Sequence, residues 1–327
     1  MSPKIFMTGA SGYIGGQFLH NISSKHPDYQ ITALVRTEAQ KTAISKLQPA
    51  TTFVIGDLDS NDIIVEESSK ADVVLQLADA DHVPATHSIM EGIVLGGKKG
   101  VFIHLSGAAN IFSTLLHHGT ASTKTWSDIH DLPQIQNFDE THIHHTTEQL
   151  LFHAQETHGI KSAIVAPAGI FGVGEGIKKL SFGIPPLLEA FKKRGKMFAV
   201  NEGLNTMAAS HVKDVADVLV MFVEEALEAE SKKITWGGDA FYYVESGGYV
   251  FADLAAAVGK LMVEKGLIGS EEVERISPEE VLEMHFAAAL MWGSNMDVKA
   301  DRLKGLGWEP KQKDVFEYLE EMLPRGA

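Results

Sequence analysis

A glycine-rich turn near the start of the chain constrains the fold more than any other feature. The apolar run Ile5-Phe6-Met7 leads directly into Thr8-Gly9-Ala10-Ser11-Gly12-Tyr13-Ile14-Gly15. Gly9 permits a tight turn, Gly12 lets the backbone approach a ligand, and Gly15 allows a helix to pack closely on the strand. The positive end of that helix and its unpaired amides attract a pyrophosphate. The segment therefore predicts a strand, turn and helix that bind a dinucleotide.

The elements after this turn supply the context that the motif needs. Further apolar strands are predicted at 31–35, 52–55, 73–77 and 101–105, and helices at 14–23, 38–47 and 62–69. Such alternation predicts a parallel sheet covered on both faces, an α/β doubly wound sheet of the Rossmann type. Without that context, the same glycines would suit a turn in an unrelated α/β protein.

The second half of the chain has a less regular pattern. A helix over 139–156, a strand over 162–166 and a Pro/Gly-rich loop over 167–176 are followed by helices at 184–193, 212–229, 251–265, 278–289 and 315–322 and a strand at 240–244. We predict a dinucleotide-binding domain over residues 1–176 and a smaller substrate lobe over 177–327, partly interleaved with it.

Large side chains in the predicted substrate lobe either line a pocket or fill a core. A core position is expected for most of them, because residues of these types are usually buried. They are Phe182, Phe191, Phe198, Met207, Trp236, Phe286, Met291 and Trp292.

Arg36 follows the second strand, where an acidic side chain would bind the hydroxyls of the adenine-side ribose. A guanidinium at that place pairs with a 2′-phosphate, so NADP(H) is predicted rather than NAD(H). The alternative is a solvated arginine at a helix start. Asp57, which precedes Leu58, is placed to accept a hydrogen bond from the adenine amino group.

Another acidic pair follows the fourth strand. Asp79 comes after Leu77 and Ala78, where the chain is expected to pass the cofactor. Asp81 is at least as well explained as the N-cap of a following helix.

The composition argues against several classes of function. Acidic residues number 43 and basic residues 28, and the net charge of −15 disfavours nucleic acid and anionic membranes as partners. The absence of cysteine excludes disulfides and thiolate sites. No segment approaches roughly 18 uninterrupted apolar residues, and a strand begins near Lys4, which leaves no room for a signal sequence. We expect a cytoplasmic protein with a small-molecule substrate; its oligomeric state stays open.

These segments resemble the extended and atypical short-chain dehydrogenase/reductases, specifically the NAD-dependent epimerase/dehydratase-like group of fungi. The likeness covers nearly the whole chain and is strongest in the TGxxGxxG turn. Further matching segments lie at 56–59, 167–172, 211–217 and 306–310. The resemblance implies a Rossmann-type domain that binds NAD(P), with the nicotinamide near Ser106 and Pro167 and with Ile170 in the adjoining loop.

The resemblance does not bring a complete catalytic set. Enzymes of the family use a tyrosine as acid/base, a lysine four residues later and a serine or threonine beyond the fifth strand, and Ser106 matches only the last. If Glu148 is the acidic residue often found four places after the lysine, the tyrosine position holds Glu140 and the lysine position His144. The resemblance therefore implies an NADPH-dependent reductase of a small carbonyl or imine without the usual pair, or a redox sensor that binds NADP without turnover. A nucleotide-sugar epimerase or dehydratase ranks last, because it requires the tyrosine.

The histidines around position 144 are candidates to replace the missing groups, since imidazoles exchange protons near neutral pH. In a helix that begins near residue 139, Glu140 and His144 fall on or beside the buried stripe, whereas His142 and His145 point elsewhere. We predict His144, with Ser106, as a catalytic residue; the alternative is a partly buried histidine in a structural hydrogen bond.

Metal binding is a further hypothesis for these histidines. His142 and His145 lie one helical turn apart, and His117 and His118 could add ligands. Zinc ordinarily needs three or four ligands, and no HExxH spacing occurs, so we expect no metal.

Overall fold

The structure, a computed structural model, describes residues 2–97, 100–112, 118–229, 233–285 and 287–323. Its strands are β1 (Lys4–Met7), β2 (Gln30–Val35), β3 (Thr52–Ile55), β4 (Val73–Gln76), β5 (Val101–Leu105), β6 (Trp126–Ser127), β7 (Lys161–Pro167), β8 (Gly169–Phe171), β9 (Met197–Val200), β10 (Thr206–His211), β11 (Phe241–Val244), β12 (Gly248–Val250), β13 (Val273–Ile276) and β14 (Val298–Lys299). Its helices are α1 (Tyr13–Lys25), α2 (Glu38–Leu47), α3 (Asn61–Lys70), α4 (Val83–Leu95), α5 (Leu132–Gln136), α6 (His145–His158), α7 (Ile184–Arg194), α8 (Val212–Leu227), α9 (Phe251–Glu264), α10 (Pro278–Leu282), α11 (Ala288–Gly293), α12 (Asp301–Gly305) and α13 (Leu319–Met322). Short 3-10 helices lie at Ala108–Ile111 and Val315–Tyr318.

A seven-stranded parallel sheet forms the centre of the molecule, in the order β11-β7-β5-β4-β1-β2-β3. The chain proceeds from β1 to one side through β2 and β3, then returns to the other side through β4 and β5. The carboxyl ends of β1 and β4 therefore lie together at the switch point, where open α/β sheets bind ligands. The doubly wound α/β fold expected from the sequence is confirmed, and all seven predicted strands agree with the structure to within one residue at each end.

The strands near the middle of this sheet are covered on both faces. Every residue of β4 and β5 is buried, which explains their continuous apolar or uncharged sequences. Helix α1 packs against α8, and α3 packs against α4.

Helix α4 lies between β4 and β5, where the sequence suggests a helix only through the N-cap alternative for Asp81 and its pattern gives no bounds. Its buried positions include Thr86, Ser88 and Gly92 as well as apolar residues, so its polar and apolar side chains do not separate into two faces. A Cβ on Gly92 would lie 2.5 Å from the carbonyl oxygen of Val65, and this close approach of α3 and α4 requires glycine.

The helix predicted over 139–156 begins six residues later than expected. His144 has φ of 69°, in the left-handed region, and is the N-cap of α6. The segment before it therefore lies outside the helix, and the helical phase assumed for Glu140 and His142 is wrong. The loop predicted over 167–176 also differs from the structure, because it contains β8.

Two hydrophobic clusters contain most of the buried apolar residues. The first surrounds the large sheet and includes α8 and β11. The second gathers β9, α7, α9 and α11. The chain thus returns to the large sheet with α8 and β11 after it has entered the second cluster. The division at residue 176 stays a prediction.

The predicted helix over 278–289 is divided into α10 and α11, and Phe286 lies outside the described residues. Among the residues that the structure describes, no helix combines the length and apolarity needed to cross a membrane.

Candidate functional site

The glycine-rich turn has the tight geometry that its sequence predicts. Gly9 has φ of +78°, and a Cβ there would lie 2.4 Å from the backbone of Leu77. A Cβ on Gly15 would lie 2.2 Å from the carbonyl oxygen of Gly9. Gly12 is the N-cap of α1, with no side-chain capping bond and no acidic residue in the first helical turn. The N-terminus of α1 therefore keeps its partial positive charge for an anionic group.

A cavity of about 500 Å³ opens beside this helix end. It brings together six of the predicted cofactor-binding residues, namely Gly12, Tyr13, Ile14, Leu77, Ala78 and Ile170. The opposite wall comes from the predicted substrate lobe and includes Phe182, Met207, Tyr249, Met291 and Trp292. Four of the lobe's large side chains thus face this cavity. Phe191 and Phe198 are instead fully buried in the second hydrophobic cluster, and Trp236 packs on the first cluster.

The side chain of Tyr13 has a structural contact. Its hydroxyl donates to the carbonyl oxygens of Phe171 at 2.9 Å and Gly172 at 2.6 Å. Burial raises the pKa of Tyr13. The hydroxyl therefore connects α1 to β8.

Arg36 is exposed at the end of β2, and no ion pair forms on its guanidinium within the part of the chain that the structure describes. The amide of Arg36 donates to Gln40 Oε1 at 2.9 Å, and Gln40 Nε2 donates to Ser11 Oγ at 3.3 Å. Gln40 thus connects the glycine-rich turn with the end of β2, where the ribose was expected.

Asp57 is exposed beyond β3 and organises its own turn. Its Oδ1 accepts from Ser60 Oγ at 2.8 Å and from the amide of Asp59 at 3.1 Å. The Ser60 hydrogen bond holds the pKa of Asp57 below its usual value. The adjoining Leu58 packs on the first hydrophobic cluster.

The acidic residues after β4 have different partners. Asp79 Oδ1 accepts from the amide of Asp81 at 3.0 Å, and Asp81 Oδ1 lies 2.8 Å from His144 Nδ1. The N-cap of α4 is His82, whose side chain accepts from the amide of Ala85. The N-cap role expected for Asp81 is therefore wrong.

Ser106 follows β5 and is joined to a buried polar network. Its hydroxyl donates to Glu148 Oε1 at 2.5 Å, and Asn110 Nδ2 donates to Glu148 Oε2 at 3.2 Å. The hydroxyl of Tyr243 donates in turn to Asn110 Oδ1 at 3.1 Å. Burial raises the pKa of Glu148 to about 7, although the hydrogen bonds from Ser106 and Asn110 oppose that rise. A carboxyl group with this pKa exchanges a proton near neutral pH.

His144 lies beside the same strand end. Its Nε2 is 3.2 Å from the point where a Cβ on Gly107 would be, and its Nδ1 faces Asp81. The hydrogen bond from His144 lowers the pKa of Asp81. His144 and Asp81 line a second cavity of about 390 Å³, on the side of α6. Ser106 is 7% exposed and lines neither cavity, although its neighbours Leu105 and Ala109 line the larger one.

The remaining residues named in the sequence analysis are Pro167 and the histidines of the metal hypothesis. Pro167 is the buried last residue of β7 and pairs with Val244 of β11. His142 stacks on Phe138 with ring centroids 4.0 Å apart. His117 lies outside the described residues, and within those residues no cluster of His, Asp, Glu or Cys has the composition to hold a metal ion.

Comparison with known proteins gives three kinds of match. The sequence model of the NAD dependent epimerase/dehydratase family matches residues 5–235. Oxidase ucsJ of Acremonium sp is 27% identical over 100% of this chain and 98% of its own length. Sterol-4-alpha-carboxylate 3-dehydrogenase of Candida albicans is 23% identical, over 79% of this chain and 74% of its own length. The solved dTDP-glucose 4,6-dehydratase of Bacillus anthracis in complex with NAD has a TM-score of 0.65 at 15% identity, over 98% of this chain and 95% of that chain, and shows the same fold.

Proposed function

Because the chain belongs to the NAD-dependent epimerase/dehydratase family, we propose that it is an NADP(H)-binding oxidoreductase that reduces a small carbonyl or imine compound. The observation that carries this proposal is the uncapped N-terminus of α1, which borders a cavity of about 500 Å³ that reaches into the substrate lobe. In this proposal residues 1–176 bind the dinucleotide and residues 177–327 provide most of the substrate wall.

The residues at the glycine-rich turn fit a dinucleotide. A Cβ on Gly12 would come within 4 Å of only one described atom outside the adjoining residues, the carbonyl oxygen of Gly9 at 3.0 Å. The bare face of Gly12 thus leaves room for a pyrophosphate against the backbone. The related fold of Bacillus anthracis dTDP-glucose 4,6-dehydratase was solved with NAD, which supports a nicotinamide cofactor.

Arg36 supports NADP(H) rather than NAD(H). Its exposed guanidinium is free of ion pairs in the described ranges, so a 2′-phosphate meets no competing carboxylate there. Gln40 and Ser11 place two further polar groups beside the same ribose position.

The bound NADPH would supply two electrons and one hydrogen to the substrate carbon. The substrate oxygen or nitrogen then needs a proton. We assign its delivery to Ser106, whose hydroxyl turns away from Glu148 Oε1 and gives its proton to that atom. The Ser106 oxygen then takes a proton from the protonated carboxyl group of Glu148, so the hydrogen bond between the two residues is reversed for this step. The pKa of Glu148 near 7 suits this exchange, and Asn110 holds the carboxylate that remains.

His144 takes the place of the family's lysine in this proposal. The carboxylate of Asp81 fixes the imidazole by its contact with Nδ1, so that Nε2 faces the Ser106-Gly107 end of β5. A fixed imidazole at this position provides a second polar group beside the reacting centre.

A non-catalytic redox sensor that binds NADP is the second candidate function. The observation that favours it is the burial of Ser106, since its hydroxyl is already bonded to Glu148 and does not line the large cavity. If Glu148 is the acidic residue four places after the family's lysine, the positions of the tyrosine and the lysine hold Glu140 and His144, and the usual proton-transfer pair is missing.

Calorimetric titration with NADPH and NADP⁺ tests the proposal first, because both functions require binding. The protein is then mixed with NADPH and a panel of aldehydes, ketones and imines while the absorbance of the reduced cofactor is followed. Oxidation that depends on substrate and is lost in Ser106→Ala and His144→Ala, but kept in the exposed control Ser24→Ala near the end of α1, supports the reductase. Tight binding without oxidation across the panel supports the sensor, and no binding refutes both.

A further inference from the structure

The half of the large cavity that faces the substrate lobe has almost no charge. Among the residues that line the whole cavity, the sole charged side chain in the described structure is Lys178, which is exposed. The lobe-side wall is instead apolar, with side chains from β10, α7 and α11 and from the segment before α7. They include Phe182, Leu187, Met207, Leu290 and Met291.

Two hydrogen-bond donors on this apolar wall have no partner among the residues described. Trp292 is 2% exposed, and its Nε1 meets no acceptor in that part of the chain. The hydroxyl of the partly buried Tyr249, on β12, likewise makes no hydrogen bond to any other described residue. Burial raises the pKa of Tyr249 to about 12, so the phenol keeps its hydrogen at neutral pH and acts as a donor. A donor shielded from water is usually satisfied, so the Trp292 indole indicates an acceptor that a ligand brings, and the Tyr249 hydroxyl is a second donor on the same wall.

An exposed aromatic ring lies on the same wall. Phe182 is 54% exposed although it is a large apolar residue, and its ring meets His285 edge to face at 5.4 Å between centroids. Beside the same segment, Met291 Sδ lies 3.8 Å from where a Cβ on the adjoining Gly183 would be. An apolar ligand between these elements would cover Phe182 and remove its ring from water.

We propose that the lobe-side half of the cavity binds a neutral, largely apolar carbonyl compound whose acceptor atoms take hydrogen bonds from Tyr249 and Trp292. This inference rests on the proposed function, since it assigns a substrate class to the same cavity. A nucleotide sugar is disfavoured there, because its diphosphate needs cationic or multiple donor partners and the wall offers one exposed lysine in a chain with a net charge of −15.

Binding of two contrasting probes tests the substrate class. Protein saturated with NADP⁺ is titrated with 2-acetonaphthone, an apolar aryl ketone, and separately with UDP-glucose, and heat and tryptophan fluorescence are recorded. We expect binding of the ketone and none of the nucleotide sugar. Binding of UDP-glucose with no binding of the ketone would overturn the proposal.

Conservative variants test the two donors. Tyr249→Phe and Trp292→Phe keep an aromatic ring and remove the hydrogen, and each should weaken ketone binding by about fivefold, the effect of one hydrogen bond of typical strength. Tyr29→Phe and Trp236→Phe are matched controls outside the cavity and should bind the ketone as the wild type does. Unchanged ketone affinity in both donor variants would also overturn the proposal.

The failure of the inference and that of the proposed function are distinguishable. Dinucleotide affinity is measured on every variant before the ketone is added, so a wild-type protein that binds no dinucleotide refutes the proposed function. The ketone titration is then run on the cofactor-free protein, and its result still decides whether the apolar wall binds the probe.

Discussion

Replacement of Glu148 by glutamine should change how the stability of the protein depends on pH. Glu148 is 2% exposed, and burial raises the pKa of its carboxyl group from the usual 4.5 to about 7. Between these two values the folded protein holds the proton more firmly than the unfolded chain does. The free energy of unfolding therefore falls as the pH rises through this window, and the full contribution is present below it.

The size of the effect follows from the same two values. Each pH unit of difference corresponds to about 1.4 kcal/mol, so the wild type should lose about 3 kcal/mol relative to Glu148→Gln between about pH 4 and about pH 8. Urea unfolding at a series of pH values measures the difference between the two proteins, in which the titration of all other groups cancels.

Glu66→Gln is the matched control, because Glu66 is 67% exposed and pairs with Lys70 on the surface. Its stability difference from the wild type should change by no more than about 0.5 kcal/mol across the range. A stability difference between wild type and Glu148→Gln that is constant with pH would refute the reasoning, because Glu148 would then have the same pKa in both states.

Two further predictions concern the dinucleotide site, and a third concerns the Asp81–His144 pair. Gly15→Ala places a Cβ 2.2 Å from the Gly9 carbonyl oxygen and should lower the free energy of unfolding by about 1–3 kcal/mol in urea and weaken NADPH binding; wild-type values for both would contradict the tight turn. Arg36→Asp should reverse the preference for NADPH over NADH in calorimetry, and an unchanged affinity ratio would remove Arg36 from the site. Asp81→Asn removes the carboxylate charge that faces His144 Nδ1, so it should lower turnover about tenfold while NADPH affinity stays unchanged. Normal turnover in this variant would exclude the Asp81–His144 pair from the reaction.

The large sheet was predictable because its signals are local. The strands around Ile5, Val73 and Val101 are short apolar runs separated by helices, and the glycine motif marks the first crossover. Helix α4 was not predictable in this way. Both its partner α3 and the sheet bury its side chains, so the sequence around Gly92 has no clear polar face.

The candidate active site was predicted only in part. Ser106 and His144 were named from the sequence, whereas Glu148 served only as a reference position for locating the missing tyrosine and lysine. The left-handed conformation of His144 starts α6 later than the sequence pattern suggested, and Glu148 in its first turn accepts a hydrogen bond from Ser106. The sequence did contain a signal for Glu148. It is an acidic residue in the first turn of α6, and it lies within four residues of the buried Leu151 and Phe152.

The doubly wound sheet and the tight glycine turn around Gly12 could be predicted from the sequence alone, because hydrophobic periodicity and glycine geometry act between neighbouring residues. The set of side chains that lines the cavity beside this turn depends on how distant segments pack together. The phenol of Tyr249 and the indole of Trp292 come from segments more than two hundred residues beyond Gly12. The pKa of Glu148 depends on its burial, and burial is a property of packed elements rather than of any local segment.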